Sequence, residues 1–142
     1  MSTNEKTMIT IQAEINAPIE IVWKFWTTPE DIVKWNSASD EWHTPHAEND
    51  LTAGGIFNYR MEAKDGSMGF DFEGFYDKVI FNEYIEYTMG DGRKAKIDFK
   101  FNGTITNIIE AFEAESVNPI ELQRGGWQAI LDNFKKYAEA NQ

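Results

Sequence analysis

Apolar and polar positions change rhythm several times along the chain, and each change predicts an element. Met8–Ile15 alternates strictly, with Ile9, Ile11, Ala13 and Ile15 on one side and Thr10, Gln12 and Glu14 on the other. A period of two marks a half-buried strand. The period then lengthens. Ile19, Val22, Trp23 and Trp26 form a helical stripe, widened by Ile21 and Phe25. This predicts a short, nearly engulfed helix, with Pro18 at its first position, where the missing N–H is not needed. Thr28-Pro29-Glu30-Asp31 predicts a second helix, capped by Thr28, opened by Pro29 and ending near Trp35. Residues 36–55 read as a loop, with a short strand near Glu48–Leu51 and a bend at Gly54-Gly55.

Period-two segments dominate from there. Ile56–Ala63, Met68–Asp77, Tyr84–Met89, Arg93–Phe101 and Thr104–Ala114 are predicted strands. Asp65-Gly66, Asp91-Gly92 and Asn102-Gly103 are hairpin signals. The last strand has two competing registers: Ile105, Asn107, Ile109 and Ala111, or Thr106, Ile108, Glu110 and Phe112. Asn118-Pro119-Ile120-Glu121 opens a final helix with Asn118 as its cap. That helix is expected to run to about Glu139 with a stripe of Trp127, Ile130, Leu131, Phe134 and Ala138.

The predicted order is strand, two short helices, a meander of strands, then one long helix. An antiparallel sheet with one buried face needs a cover, and the amphipathic last helix supplies it. The fold class is therefore α+β: a curved antiparallel sheet of about six or seven strands wrapped around the C-terminal helix. The 142 residues read as one domain, with no repeat, low-complexity segment or linker.

Composition adds three constraints. The formal net charge is −11, which repels phosphate backbones and anionic surfaces, so no nucleic-acid partner is expected. There is no cysteine, which removes disulfides, thiolate metal sites and cysteine nucleophiles. No apolar run approaches a membrane span and no signal-peptide pattern opens the chain, so no membrane insertion and a cytoplasmic location are expected. The aromatic load is the unusual feature: ten Phe, five Tyr and five Trp. Those rings either fill a solid core or surround a hollow. Tyr and Trp lean towards the hollow, because each brings a donor that needs a partner when buried.

Several residues together resemble a known superfamily. Ala17-Pro18, Val22-Trp23 and Thr28-Pro29-Glu30 come first, then Trp35 at the end of the second helix. Gly54-Gly55, Gly74 with Tyr76, and Gly126-Trp127 follow in order. The set is similar to the START-like, Bet v 1-like superfamily (SRPBCC). Within it the chain resembles the bacterial branch related to the activator of Hsp90 ATPase C-terminal domain, over about residues 8–139. The stretches Trp35–His43 and Arg60–Gly66 are similar to one bacterial subgroup. The resemblance implies a helix-grip fold with an internal cavity. Relatives carry lipids, sterols, hormones or polyketides, a few are cyclases, aromatases or hydrolases, and eukaryotic ones stimulate Hsp90. Fold follows from such a likeness more firmly than function.

With the cavity implied, the candidate ligand-binding residues are Trp35, Trp42, His43, Phe57, Tyr59, Phe70, Phe72, Tyr87, Phe99, Glu110, Phe112 and Trp127. Most are rings on strand faces or the last helix, in keeping with the apolar lining of small-molecule pockets. His43 would stand with Asp40 and Trp42 at the mouth. Glu110 would face the hollow if Phe112 does, with its pKa raised by burial or its charge paired with a cation. His43 and His46 bracket Pro45, which breaks any helix that would align them, so no metal site is expected. Gly125-Gly126 breaks helix propensity inside the last helix. It either opens room for a ligand, permits close approach to the sheet, or marks the true helix start.

No standard catalytic signature is present, and no catalytic residue or cofactor is assigned. The first functional expectation is a START-like binding protein. Its partner would be a small hydrophobic or amphipathic molecule held between the sheet and the C-terminal helix. The alternatives are a cavity enzyme with cyclase- or hydrolase-like acid–base chemistry, or an Hsp90-activator-like interaction module. A homodimer would protect the sheet edges.

Overall fold

The computed structural model describes residues 7–142. Strand β1 (Met8–Ile15) is followed by helices α1 (Ile19–Thr27) and α2 (Pro29–Trp35). Then come β2 (Trp42–Asn49), β3 (Ile56–Ala63), β4 (Gly69–Ile80), β5 (Tyr84–Met89), β6 (Lys94–Phe101) and β7 (Thr106–Glu113). Helix α3 (Ile120–Asn141) closes the chain. The seven strands form one antiparallel sheet in the order β1-β7-β6-β5-β4-β3-β2. The chain thus meanders from β2 to β7, and β1 adds beside β7. The sheet curls into a half-barrel against α3, the expected α+β architecture.

Local chemistry explains the hairpins. Asp65, Asp91 and Asn102 each accept a hydrogen bond from a backbone N–H two residues on, which bends the chain into an Asx turn. The glycines that follow them take positive φ, a region that costs a side chain strain.

The open register of β7 resolves to Thr106, Ile108, Glu110 and Phe112 facing α3, all buried. Tertiary contacts decide it. The Thr106 hydroxyl donates to Ala17 O at 2.8 Å, and Phe112 stacks on Trp127. Neither could be made from the opposite face.

Three local expectations are corrected. Residues expected to be loop form β2, an eight-residue edge strand with a bulge between His43 and His46. Its pattern is irregular because Pro45 sits in the bulge, where no ladder donor is needed. Thr28 precedes α2 but makes no side-chain capping bond. Asn118 does not cap α3 either; Pro119 occupies that place, and the Asn118 side chain donates to Glu115.

Both margins of the sheet are interrupted by this chain's own residues. On β1, Gln128 donates to Gln12 O and Lys135 to Glu14 O. Just beyond it, Gln142 donates to Asn16 O and Glu139 accepts from the Asn16 N–H. On β2, Pro45 and the bulge interrupt the margin.

The densest part of the core lies under α1, α2 and the C-terminal half of α3. Val22, Ile32, Ile9, Ile15, Ile108, Phe134 and Ala138 are fully buried there. Trp26, Trp35 and Phe134 meet pairwise with ring centroids 4.9 Å apart. The Trp35 indole N–H donates to Phe25 O at 2.9 Å, so its donor is satisfied inside the core.

Candidate functional site: an aromatic cavity with a buried carboxyl

Towards the other end of α3 the interior is hollow. A cavity of about 350 Å³ lies between the inner face of β3–β7 and the N-terminal half of α3. That volume is in the range of small-molecule sites. Its walls are mainly rings. Phe57, Tyr59, Phe72 and Tyr87 form a connected cluster with centroids 5.1–6.2 Å apart. Trp127 lies flat on Phe112, centroids 3.8 Å apart and planes 11° from parallel. Its edge meets Phe72 at 6.0 Å. This ring therefore ties the helix to both β7 and β4.

Gly126 lines the cavity one residue before Trp127. Both glycines are well inside α3, which begins at Ile120. A Cβ built at Gly125 or Gly126 meets nothing within 4 Å. The glycines are therefore neither a helix start nor a close approach to the sheet. Gly126 leaves open space on the cavity side, whereas Gly125 is exposed on the outer side of the helix.

Glu110 is the one carboxylate among the lining residues that sits deep in the sheet, between Ile97 of β6 and Ile11 of β1 in the ladder. It is 6% exposed. Its carboxyl makes no hydrogen bond or ion pair among the described residues. Burial alone pushes its pKa up to about 8, because ionisation in an apolar site forfeits hydration. The tyrosines follow the same rule. Tyr59 is raised by burial and then by the neighbouring Tyr76 hydroxyl. Tyr87 is raised by burial and then by the Glu110 charge. Both stay neutral over the physiological range.

A polar rim sits at the α3 end. The Gln123 amide is spent on structure: it donates to Glu115 O at 3.1 Å and Asn118 O at 2.8 Å, and accepts from the Glu115 N–H at 2.9 Å. Arg93 is held by Asp91 at 2.8 Å and donates to Glu113 O at 3.2 Å. The exposed Leu122 and half-exposed Phe70 complete the rim.

Of the candidate residues, Trp35, Phe57, Tyr59, Phe70, Phe72, Tyr87, Glu110 and Trp127 line the cavity. Four do not. Phe112 lies behind Trp127, fully buried. Phe99 packs against Trp23 and Trp26 in the dense core. Trp42 stands outside the lining, 6.1 Å from Phe70. His43 lies outside on β2, 3.8 Å from Glu62 and 43% exposed. His46 faces Glu48, and no group of three or more His, Asp or Glu among the described residues is arranged to hold a metal. Trp26 and Tyr76, which were not among the candidates, also line the cavity. Tyr76 had a signal, since it continues the alternation of Phe72 and Gly74. Trp26 had none, because every side of α1 but one is apolar.

The sequence profile described as Activator of Hsp90 ATPase homolog 1-like protein matches residues 16–139. The chain belongs to this family. The Activator of Hsp90 ATPase homolog 1-like family is part of the SRPBCC, Bet v 1-like superfamily. An AHSA1-like protein from Aeromonas hydrophila, solved in solution, is 43% identical with a TM-score of 0.89, covering 94% of this chain and 93% of that one. A solution structure from Cytophaga hutchinsonii is 57% identical with a TM-score of 0.81, covering 94% and 92%. A crystal structure from Nitrosomonas europaea shares the family's fold at 18% identity and a TM-score of 0.80, covering 94% of both chains. No curated protein matches the chain. No helix among the described residues is long and apolar enough to cross a membrane.

Proposed function

We propose that this protein binds a small, largely apolar molecule in the cavity beneath the N-terminal half of α3. One observation carries the reading. The helix gives up a side chain at Gly126, where nothing crowds it and a ring-lined hollow lies beneath. A helical glycine costs about 1 kcal/mol relative to alanine, so a sequence selected only for a solid core would not keep one at that uncrowded inner site.

N-phenylnaphthylamine, a neutral probe that brightens on leaving water, tests this. It is expected to bind stoichiometrically and to quench Trp127. Gly126→Leu, which fills the hollow from the helix side, is expected to weaken binding at least about tenfold, as a blocked pocket of this size must. Absence of binding by this probe and by a panel of apolar compounds, with Gly126→Leu indistinguishable from wild type, would overturn the reading.

A second reading is the protein contact that the family's name suggests. Ile56 and Phe75, a cross-strand pair on the outer face of the sheet, support it, being 68% and 44% exposed. That surface lies on the other side of the sheet from the cavity, so Gly126→Leu would leave it intact.

A further inference from the structure

The cavity's most costly residue is also its least explained. Glu110 is buried on the inner face of the sheet, and its carboxyl has no hydrogen-bond or ion-pair partner among the described residues. Burying an unpaired carboxyl costs free energy, and its ladder neighbours, both isoleucine, offer nothing that calls for one. A glutamine of the same shape would offer a neutral ligand both a donor and an acceptor without the penalty on a charged form. What glutamate adds is the capacity for negative charge.

The surroundings suit a positive ligand. Tyr59 of β3, Tyr76 of β4 and Tyr87 of β5 face the same space and remain neutral. Arg93, after β5, is the one cation in the lining and is held by Asp91 and Glu113 O. Glu115, after β7, is engaged by Asn118. The α1, α2 and α3 residues in the lining carry no charge. The carboxyl therefore shares a lining rich in aromatic rings, with Tyr87 near enough to feel its charge, and aromatic faces attract cations. The net charge of −11 also raises the local concentration of cations and lowers that of anions.

Resting on the proposed cavity binding, we propose that the ligand is a lipophilic amine: its ammonium head pairs with Glu110 and its apolar body lies among Phe57, Tyr59, Phe72 and Trp127.

Three probes that differ only in the head group test this: octylamine, octanol and octanoate, measured by calorimetry on the full chain. Octylamine is expected to bind at least about tenfold tighter than octanol, and octanoate weakest, because a desolvated opposite charge is worth more than a neutral hydrogen bond. Ammonium binding must ionise Glu110, so about one proton leaves per amine at neutral pH, read from buffers of different ionisation enthalpy. Amine affinity should rise about tenfold per pH unit up to about pH 8 and then level off. Glu110→Gln should abolish both the proton release and the preference for the amine, while octanol binding persists. Octanol or octanoate binding as tightly as the amine, or amine binding without proton release, would overturn the amine assignment and leave cavity binding standing. Failure of all three probes together with the neutral naphthylamine would remove both.

Discussion

The two halves of α3 cover the same sheet and do opposite things. In the C-terminal half, Phe134 and Ala138 are fully buried, on the part of the helix that packs against α1, α2 and β1. In the N-terminal half, the matching face carries Gln123, Gly126 and Trp127, and only Gln123 is buried. The C-terminal half fills its space; the N-terminal half borders a hollow. One helix can therefore serve as a core element at one end and a cavity wall at the other. The difference lies in a few side chains at helical spacing, not in a change of fold.

The sharpest way to break this contrast is through pH. Glu110 belongs to the hollow end, and burial lifts it from 4.5 to about 8. The unfolded chain releases that proton near pH 4.5, while the folded chain keeps it until about pH 8. Below 4.5 both states are protonated. Stability should therefore fall as pH rises across this window, by on the order of 5 kcal/mol, and flatten above it. Urea unfolding of the wild type against Glu110→Gln isolates the effect, because the other carboxylates are common to both. Parallel pH profiles would show that the carboxyl is not desolvated.

A pair of truncations compares the two ends directly. Phe134→Ala should cost about 3–4 kcal/mol, as expected for a ring with no exposure among Trp26 and Trp35. Trp127→Ala, although the larger truncation, should cost only about 2 kcal/mol, since its ring is half-buried and borders empty space. Equal losses in denaturant midpoints would mean that the two halves are packed alike.

The smallest effect has the opposite sign. Gly126→Ala should stabilise by about 0.5–1 kcal/mol, because the added methyl meets nothing and helix propensity improves. A loss of stability would place hidden contacts at that site.

Much of the frame was legible because it is local. The Asp-Gly and Asn-Gly turns, the alternation of β1 and the stripe of α3 each announce themselves within a dozen residues. β2 was not legible, since Trp42–Asn49 has two histidines and a proline and no alternation; pairing with β3 makes it a strand. The register of β7 was open because both faces carry isoleucine, and it took Ala17 and Trp127, distant in sequence, to choose one. The candidate site was half legible for a related reason. Alternation tells which face a ring is on but not how deep along the sheet it sits. Phe72 and Phe99 both face inwards, yet only Phe72 meets the hollow. Glu110 was the informative exception, because a carboxylate on an inward face is conspicuous wherever it falls.

The margins of the sheet bear on what this molecule does in a crowded solution. Unsatisfied strand edges are templates on which another chain can crystallise. Here Gln128 and Lys135 occupy the carbonyls of Gln12 and Glu14 on β1, Glu139 and Gln142 hold Asn16 just beyond it, and Pro45 interrupts β2. At those positions a second copy would find the backbone already engaged or missing a donor, so each of them hinders the growth of a shared sheet.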